Sequence, residues 1–383
     1  MSKSDKYRLG QQLRGVREGL GLTQEEVAQH LGLSSYQIVS YIESGKRELK
    51  ASELVKLLRL YHKDIPDLFP PEKEMLRDPA VLWRSKEDDK KALNLEKRFL
   101  YLCRNYRLLE TKIGEVPEEH FEPWRISKTE LNFEALEDKA REISEDLRLG
   151  NRPAGSLPKI LAEQLYLKII YLDLRGAGSA ASTLGDFGPA ILLNTVSAPW
   201  RRNFDLAHEY FHILTWETFE PAEVHCGEGA DDKSPADKLA NVFASALLLP
   251  ENIFRTELKK RGKDRKFSGL DLVQLAMEFE VSTEAVLWRM VNLRLLEKEK
   301  AREIIESPSF RTLHRTQRKG RYSAALEFSR RLVYLGLKAM VLGLVSRAKL
   351  AEIFQVPLAE LDNLFAQYGL SEEEYYSLEF TTA

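Results

Sequence analysis

The run Asp205-Leu206-Ala207-His208-Glu209-Tyr210-Phe211-His212-Ile213-Leu214 constrains this chain more than any other stretch. Residues four apart stack on one face of an α-helix, so a helix here aims the imidazoles of His208 and His212 at one point and sets the carboxylate of Glu209 beside them. The grouping suits hydrolysis at a zinc ion: two neutral nitrogen ligands, a carboxylate that can take a proton from water, and an apolar helix that holds them rigid. Such a site uses three protein ligands, so one must come from elsewhere. The candidates downstream are Glu217, Glu220, Glu223, His225, Cys226, Glu228, Asp231, Asp232 and Asp237, and spacing alone does not choose among them. Asp237 has a structural argument, because it sits in the first turn of the strongly helical run from Ala236 to Pro250, which can lie across the first helix.

A chain of 383 residues exceeds one ordinary domain, and two or three are expected. With 43% hydrophobic residues, 30% charged residues and a formal net charge of -2, the composition is that of a globular protein, not a disordered or fibrous one. Cys103 and Cys226 stand far apart, which gives no disulfide framework and fits a reducing, cytoplasmic setting. The polar start, Met1 to Lys6, lacks the apolar run of a secretion signal. The apolar stretch Leu332 to Val345 is interrupted by Lys338 and is shorter than the ~20 residues a membrane helix needs, so it reads as a buried helix and no membrane partner is expected.

Residues 7 to 63 read as a compact helical unit. Tyr7 to Leu20 has helical spacing, Thr23-Gln24-Glu25-Glu26 forms a capping box, and Gly32 stops the helix that carries Val27, Ala28 and Leu31. Ser34 or Ser35 caps the next helix, Tyr36 to Glu43, and Ser52 to Tyr61 repeats the period. Short helices with tight turns suggest a helix-turn-helix DNA module. The stretch Leu22 to Glu48 resembles the XRE (Cro/C1-type) repressor family, with Leu49 standing where that family often has proline. In such modules the second helix of the pair enters the major groove, so Ser35, Tyr36, Gln37, Ser40 and Tyr41 are expected at base edges. Gln24, Lys46 and Arg47 are placed for phosphate contacts. Residues 1 to 63 hold eleven Lys/Arg against seven Asp/Glu, a modest basic excess that agrees with a DNA footprint.

From Pro66 to about Phe133 the pattern is that of a linker followed by charged helix: Pro70-Pro71 marks a break, Lys86 to Lys91 reads as a solvated charge run, and Leu93 to Ile113 has helical spacing. Leu136 to Leu147 and Leu157 to Leu165 are further helices. Lys168 to Leu174 and Ala190 to Asn194 read as strands separated by a Gly- and Ser-rich turn. A small sheet there invites edge pairing with an extended peptide substrate. Residues 134 to 250 resemble the ImmA/IrrE family of metallopeptidases, through Arg201-Arg202-Asn203-Phe204-Asp205-Leu206-Ala207-His208-Glu209-Tyr210-Phe211-His212 and the later Asp237-x-x-Ala240-Asn241-x-Phe243-Ala244-x-x-Leu247-Leu248-x-Pro250. The resemblance implies His208, His212 and Asp237 as ligands of a Zn2+ ion and Glu209 as catalytic base. The family carries glutamate where Asp237 stands, one methylene longer. His225, Tyr210 and Arg202 are candidates for stabilising the developing oxyanion.

After Pro250 the chain is helical and partly basic, with Lys259-Lys260-Arg261 and Arg311 to Arg321 reading as solvated surface. Leu272 to Val286 and Ser346 to Leu361 echo the helix-turn-helix rhythm of Thr23 to Ile38. The expected architecture is mainly α with a small β-sheet (α+β): a helix-turn-helix domain over 1–65, a helical linker over 66–133, a zinc metallopeptidase domain over 134–295 and a helical domain over 296–383. The expected function is that of a DNA-binding transcriptional regulator with a zinc-dependent endopeptidase domain that cleaves a repressor protein, relieving repression in a stress response or mobile-element control. Its partners are then a double-stranded DNA operator, a protein substrate and a second copy of itself in a homodimer. The alternative is a regulator whose zincin-like domain senses or binds without cutting.

Overall fold

In the computed structural model the described residues are 3–61, 79–84, 89–116, 121–220, 223, 234–261, 267–318 and 325–371. They form an α+β architecture in two compact units, Met1–Arg77 and Asp78–Ala383.

The first unit is built from α1 (Lys3–Gly19), α2 (Gln24–Leu31), α3 (Tyr36–Glu43) and α4 (Ala51–Tyr61). Thr23 caps α2 through the expected capping box with Glu26, and Gly32 ends it in the left-handed region at φ 73°. Ser35, not Ser34, caps α3 by accepting from Gln37 N. Leu13, Val27, Val39, Ile42, Leu57 and Tyr61 close the core. At its rim the guanidinium of Arg17 meets the carboxylate of Glu43 at 2.6 Å, both nearly buried, which ties α1 to the end of α3.

The second unit is organised by a four-stranded mixed sheet of order β1-β3-β4-β2, where β1 is Val81–Arg84, β2 Lys168–Leu172, β3 Ala180–Gly185 and β4 Gly188–Asn194. Its faces bury two separate cores, as the period-two alternation of side chains requires. Ile169, Ala180, Ile191 and Leu193 point to one side, against α6 (Phe133–Asp146), α7 (Pro153–Gln164), α8 (Pro199–Leu214), α9 (Pro235–Leu248) and the helices that follow to Asn292. Ile170, Leu172, Ala181, Ala190 and Leu192 point to the other, against α5 (Asp89–Ile113) and the last helices of the chain, Arg330–Val341, Arg347–Phe354 and Leu361–Gln367.

Two expectations need revision. The Gly- and Ser-rich stretch read as a turn contains β3, which pairs antiparallel with both β1 and β4. Its small residues Ala180, Ala181 and Ser182 are fully buried, because the strand is sandwiched between strands on both edges and helices on both faces. That crowding favours the small side chains that hid the strand from a propensity reading. The stretch read as linker contributes β1, and its far end packs on α8, where Trp124 N donates to Leu214 O. The first ten residues of the Leu332 to Val345 stretch lie in a largely buried helix, Arg330–Val341, but the helix stops there and the last four form a turn in which Leu342 and Leu344 are exposed. No helix among the described residues is long and apolar enough to cross a membrane.

Candidate functional site

α8 starts with Pro199 at its first turn, where a missing N–H costs nothing, and every residue from Asp205 to Leu214 is buried. It lies on β3 and β4 on one side and on α9 on the other. One turn apart, the rings of His208 and His212 have centroids 4.9 Å from each other, and their Nε2 atoms converge to 3.1 Å. The third member comes from α9. Ser234 caps that helix and accepts from Asp237 N at 3.1 Å, while its hydroxyl donates to Asp237 Oδ2 at 3.2 Å. Asp237 Oδ1 then stands 3.2 Å from His208 Nε2 and 3.5 Å from His212 Nε2.

This triangle can be tested against a metal. Four ligands arranged tetrahedrally at the zinc bond lengths of about 2.0–2.1 Å lie about 3.3–3.4 Å apart. The three edges here are 3.1, 3.2 and 3.5 Å. All three residues are buried, and their chemistry, two imidazoles and one carboxylate, is that of a catalytic site with a position left open. His208 Nδ1 lies 3.1 Å from Asn241 Oδ1, so its N–H is held there and the Nε2 lone pair faces the triangle. The residues fit the ion. The shorter Asp237 suffices because the first turn of α9 is pressed against α8; that turn also places the carboxylate at the positive end of the helix dipole.

Glu209 is 1% exposed and accepts a hydrogen bond from Ser182 Oγ on β3 at 2.8 Å. Ser182 and Asn241 were not singled out from the sequence. Asn241 stood in the Ala-Asn-x-Phe-Ala pattern four residues beyond Asp237, one helical turn along, and that spacing could have found it. Nothing local marked Ser182, because its strand had been read as a turn.

Of the other candidate ligands, Glu217 and Glu220 are exposed. Glu223 is bound to Lys128 at 2.6 Å, which holds its carboxyl below the usual range. His225, Cys226, Glu228, Asp231 and Asp232 lie outside the described residues. Tyr210 sits in the apolar core beside Phe243, where burial pushes its phenol up. Arg202 donates to Thr195 O and lines a cleft of about 730 Å³ whose walls include none of the four site residues.

In the first unit Tyr36, Gln37, Tyr41 and Lys46 are exposed and Ser40 is half-buried. Ser35 spends its hydroxyl on capping α3. The Gln24 amide donates to Glu43 Oε2 at 2.8 Å, and Arg47 makes a two-pronged pair with Glu53, the closer contact being 2.8 Å.

Two helices bring His208, Glu209, His212 and Asp237 to one point, a group that could hold a metal ion beside a carboxylate, and comparison with known proteins points the same way. Residues 162–291 match the peptidase-family model described as the IrrE N-terminal-like domain, and residues 8–68 match one described as a helix-turn-helix domain. One stretch of the chain thus matches a helix-turn-helix domain and another an IrrE-like peptidase-family domain. It is 33% identical over 111 residues to the radiation response metalloprotease IrrE of Deinococcus radiodurans, a match that covers 28% of this chain and spans only 33% of that protein. An alignment with the crystal structure of ComR from Streptococcus suis covers 98% of this chain and 96% of that one. It has 14% identity and a TM-score of 0.16.

Proposed function

We propose that this chain is a DNA-tethered, zinc-dependent endopeptidase that cleaves a regulatory protein, in particular a helix-turn-helix repressor, and so relieves transcriptional repression. The observation that carries the reading is the ligand triangle of His208, His212 and Asp237, with edges of 3.1 to 3.5 Å beside a buried carboxylate. A zinc ion held there supplies a Lewis acid for the scissile carbonyl and makes water easier to deprotonate. Glu209 accepts the proton of the attacking water and hands it to the departing amine. Ser182 holds the Glu209 carboxylate in place, and Asn241 holds the His208 ring with the correct nitrogen facing inward.

The first unit supplies the address. Tyr36, Gln37 and Tyr41 lie on one exposed face of α3, with half-buried Ser40 among them and Ser35 at the start of the helix, and we assign this face to base edges. Lys46 and Arg47, which follow α3, are assigned to phosphates; Arg47 can turn from Glu53 to do so, as can Gln24 from Glu43. A homodimer on a two-fold operator, in the cytoplasm, completes the proposal.

The test combines metal analysis with cleavage. The purified chain should carry about one zinc, and His208→Ala should lose it. Glu209→Gln should keep the metal and lose cleavage of a candidate repressor. A wild-type protein without zinc, or equal cleavage by wild type and Glu209→Gln, would overturn the reading in favour of a sensor without peptidase activity.

A further inference from the structure

A peptide can be cut here only if it brings a carbonyl within reach of Glu209 and the ligand triangle. β3 touches Glu209 directly, through the Ser182 hydroxyl, and a strand edge can hold an extended peptide. The inner side of β3 is bonded to β4; the outer side is already taken by β1, with Leu82 paired to Ser182. Alternation along β1 sends Val81 and Trp83 into the core on the far face, and Leu82 to the face that carries Glu209. There Leu82 is 5% exposed and packs with Ala236, Trp216 and Phe219. Trp216 and Phe219 of that recess also pack against the core that surrounds α8, and Ala236 immediately precedes Asp237.

We propose that the outer edge of β3 is the substrate-binding edge of this centre, that it takes an extended peptide with a large apolar side chain opposite Ser182, and that Val81–Arg84 occupies it as an internal stand-in which substrate must displace. The inference rests on the peptidase reading above and adds to it the substrate class and the way access is controlled. β1 is only four residues long, lies at the sheet margin, and is the first described element of its unit. Removing it leaves the pairing of β3, β4 and β2 intact. Its separate anchors are the hydrogen bonds from Trp83 Nε1 to Glu96 Oε2 at 3.2 Å and from Thr183 Oγ1 to Ala80 O at 2.8 Å.

Two full-length variants test this in opposite directions. Val81 and Thr183 are register partners, and antiparallel partners stand about 4.5–5.5 Å apart at Cα, within the disulfide range. The double variant Val81→Cys/Thr183→Cys therefore locks β1 when oxidised and frees it when reduced. Leu82→Asp expels the strand by placing a charge in the apolar recess. The probe is a fluorescent synthetic peptide Pro-Ala-Val-Leu-Trp-Arg, followed by anisotropy, with hydrogen exchange at Val81–Arg84 and cleavage of unfolded casein as further readouts. We expect at least tenfold tighter peptide binding and faster exchange at β1 in Leu82→Asp than in wild type. The oxidised lock should bind and cleave at least tenfold less than its reduced form, while wild type is indifferent to oxidation. Equal binding and cleavage by the locked and reduced forms would overturn the assignment and leave the peptidase reading standing. Gated peptide binding with no cleavage in any form would uphold the assignment and overturn the peptidase reading.

Discussion

Ser234 holds Asp237 twice, accepting from its backbone N–H at 3.1 Å and donating to its Oδ2 at 3.2 Å. The same contact that starts α9 therefore aims the proposed third ligand, and Oδ1 is left facing the two imidazoles. Ser234→Ala should remove a cap worth about 1 kcal/mol and lower zinc affinity by roughly 10–100-fold, as loss of a residue orienting a ligand does. Competition with a chromophoric chelator measures it. Asp237→Glu should also weaken zinc binding, by on the order of tenfold, although it restores the family residue, because the backbone is already close and the added methylene overshoots. Tighter binding by Asp237→Glu would show that the aspartate is a compromise instead of a fit.

The link between β3 and the base gives a kinetic prediction. Ser182→Ala should reduce kcat by about 10–100-fold with zinc content unchanged and KM little changed, since the hydroxyl bonds the Glu209 carboxylate and the β3 backbone is untouched. Ser182→Thr, which keeps the hydroxyl, should recover most of the loss. A fall in zinc content, or a KM effect without a kcat effect, would assign the serine to structure alone.

How much of this centre was legible beforehand follows from the range of the interactions. His208, Glu209 and His212 are four residues apart at most, so helical periodicity alone brings them together. Asp237 was reachable through the helical run it opens. Ser182 and Leu82 were not, because Ser182 meets Glu209 through a strand-to-helix side-chain contact between residues 27 apart, and Leu82 meets Ser182 through strand pairing across three intervening helices and a strand. In β3 the close packing of helices on the sheet selected Ala, Ala and Ser, residues whose local preferences argue against a strand. The burial that makes the site work thus removed the pattern that would have announced it.

In the first unit the crossing of α1 over the end of α3 is set by Gly10. A Cβ added there would lie 2.4 Å from Glu43 O and 2.5 Å from Ile42 O, both backbone atoms that cannot turn aside. Gly10→Ala must push the helices apart, strain the buried Arg17 to Glu43 pair and cost about 1–3 kcal/mol. Thermal unfolding should show a destabilised first transition and gel retardation a weaker DNA complex. Zinc content and cleavage, which belong to the second unit, should be unchanged. A wild-type melting profile for the variant would refute the close crossing.

Lys168 makes the stability of the second unit depend on alkaline pH. Its ammonium group is buried 3.1 Å from the equally buried carboxylate of Glu110, which is also paired with Arg107 and Arg331. Burial lowers the amine from 10.5 to about 8, with Glu110 opposing the shift. With the folded-state value below the unfolded one, the unfolded chain binds the extra proton between those two pH values, so stability rises with pH through that window and is insensitive to this group below it. Between pH 7.5 and 9.5 the gain should be about 2 kcal/mol, at 1.36 kcal/mol per pH unit above the folded-state value. Lys168→Met should abolish that gain, since Glu110 retains its arginine partners and no amine remains to lose a proton. Urea midpoints of wild type and variant at the two pH values decide it. A wild type that instead loses stability relative to the variant as pH rises would mean that the charged pair outweighs the burial of the amine.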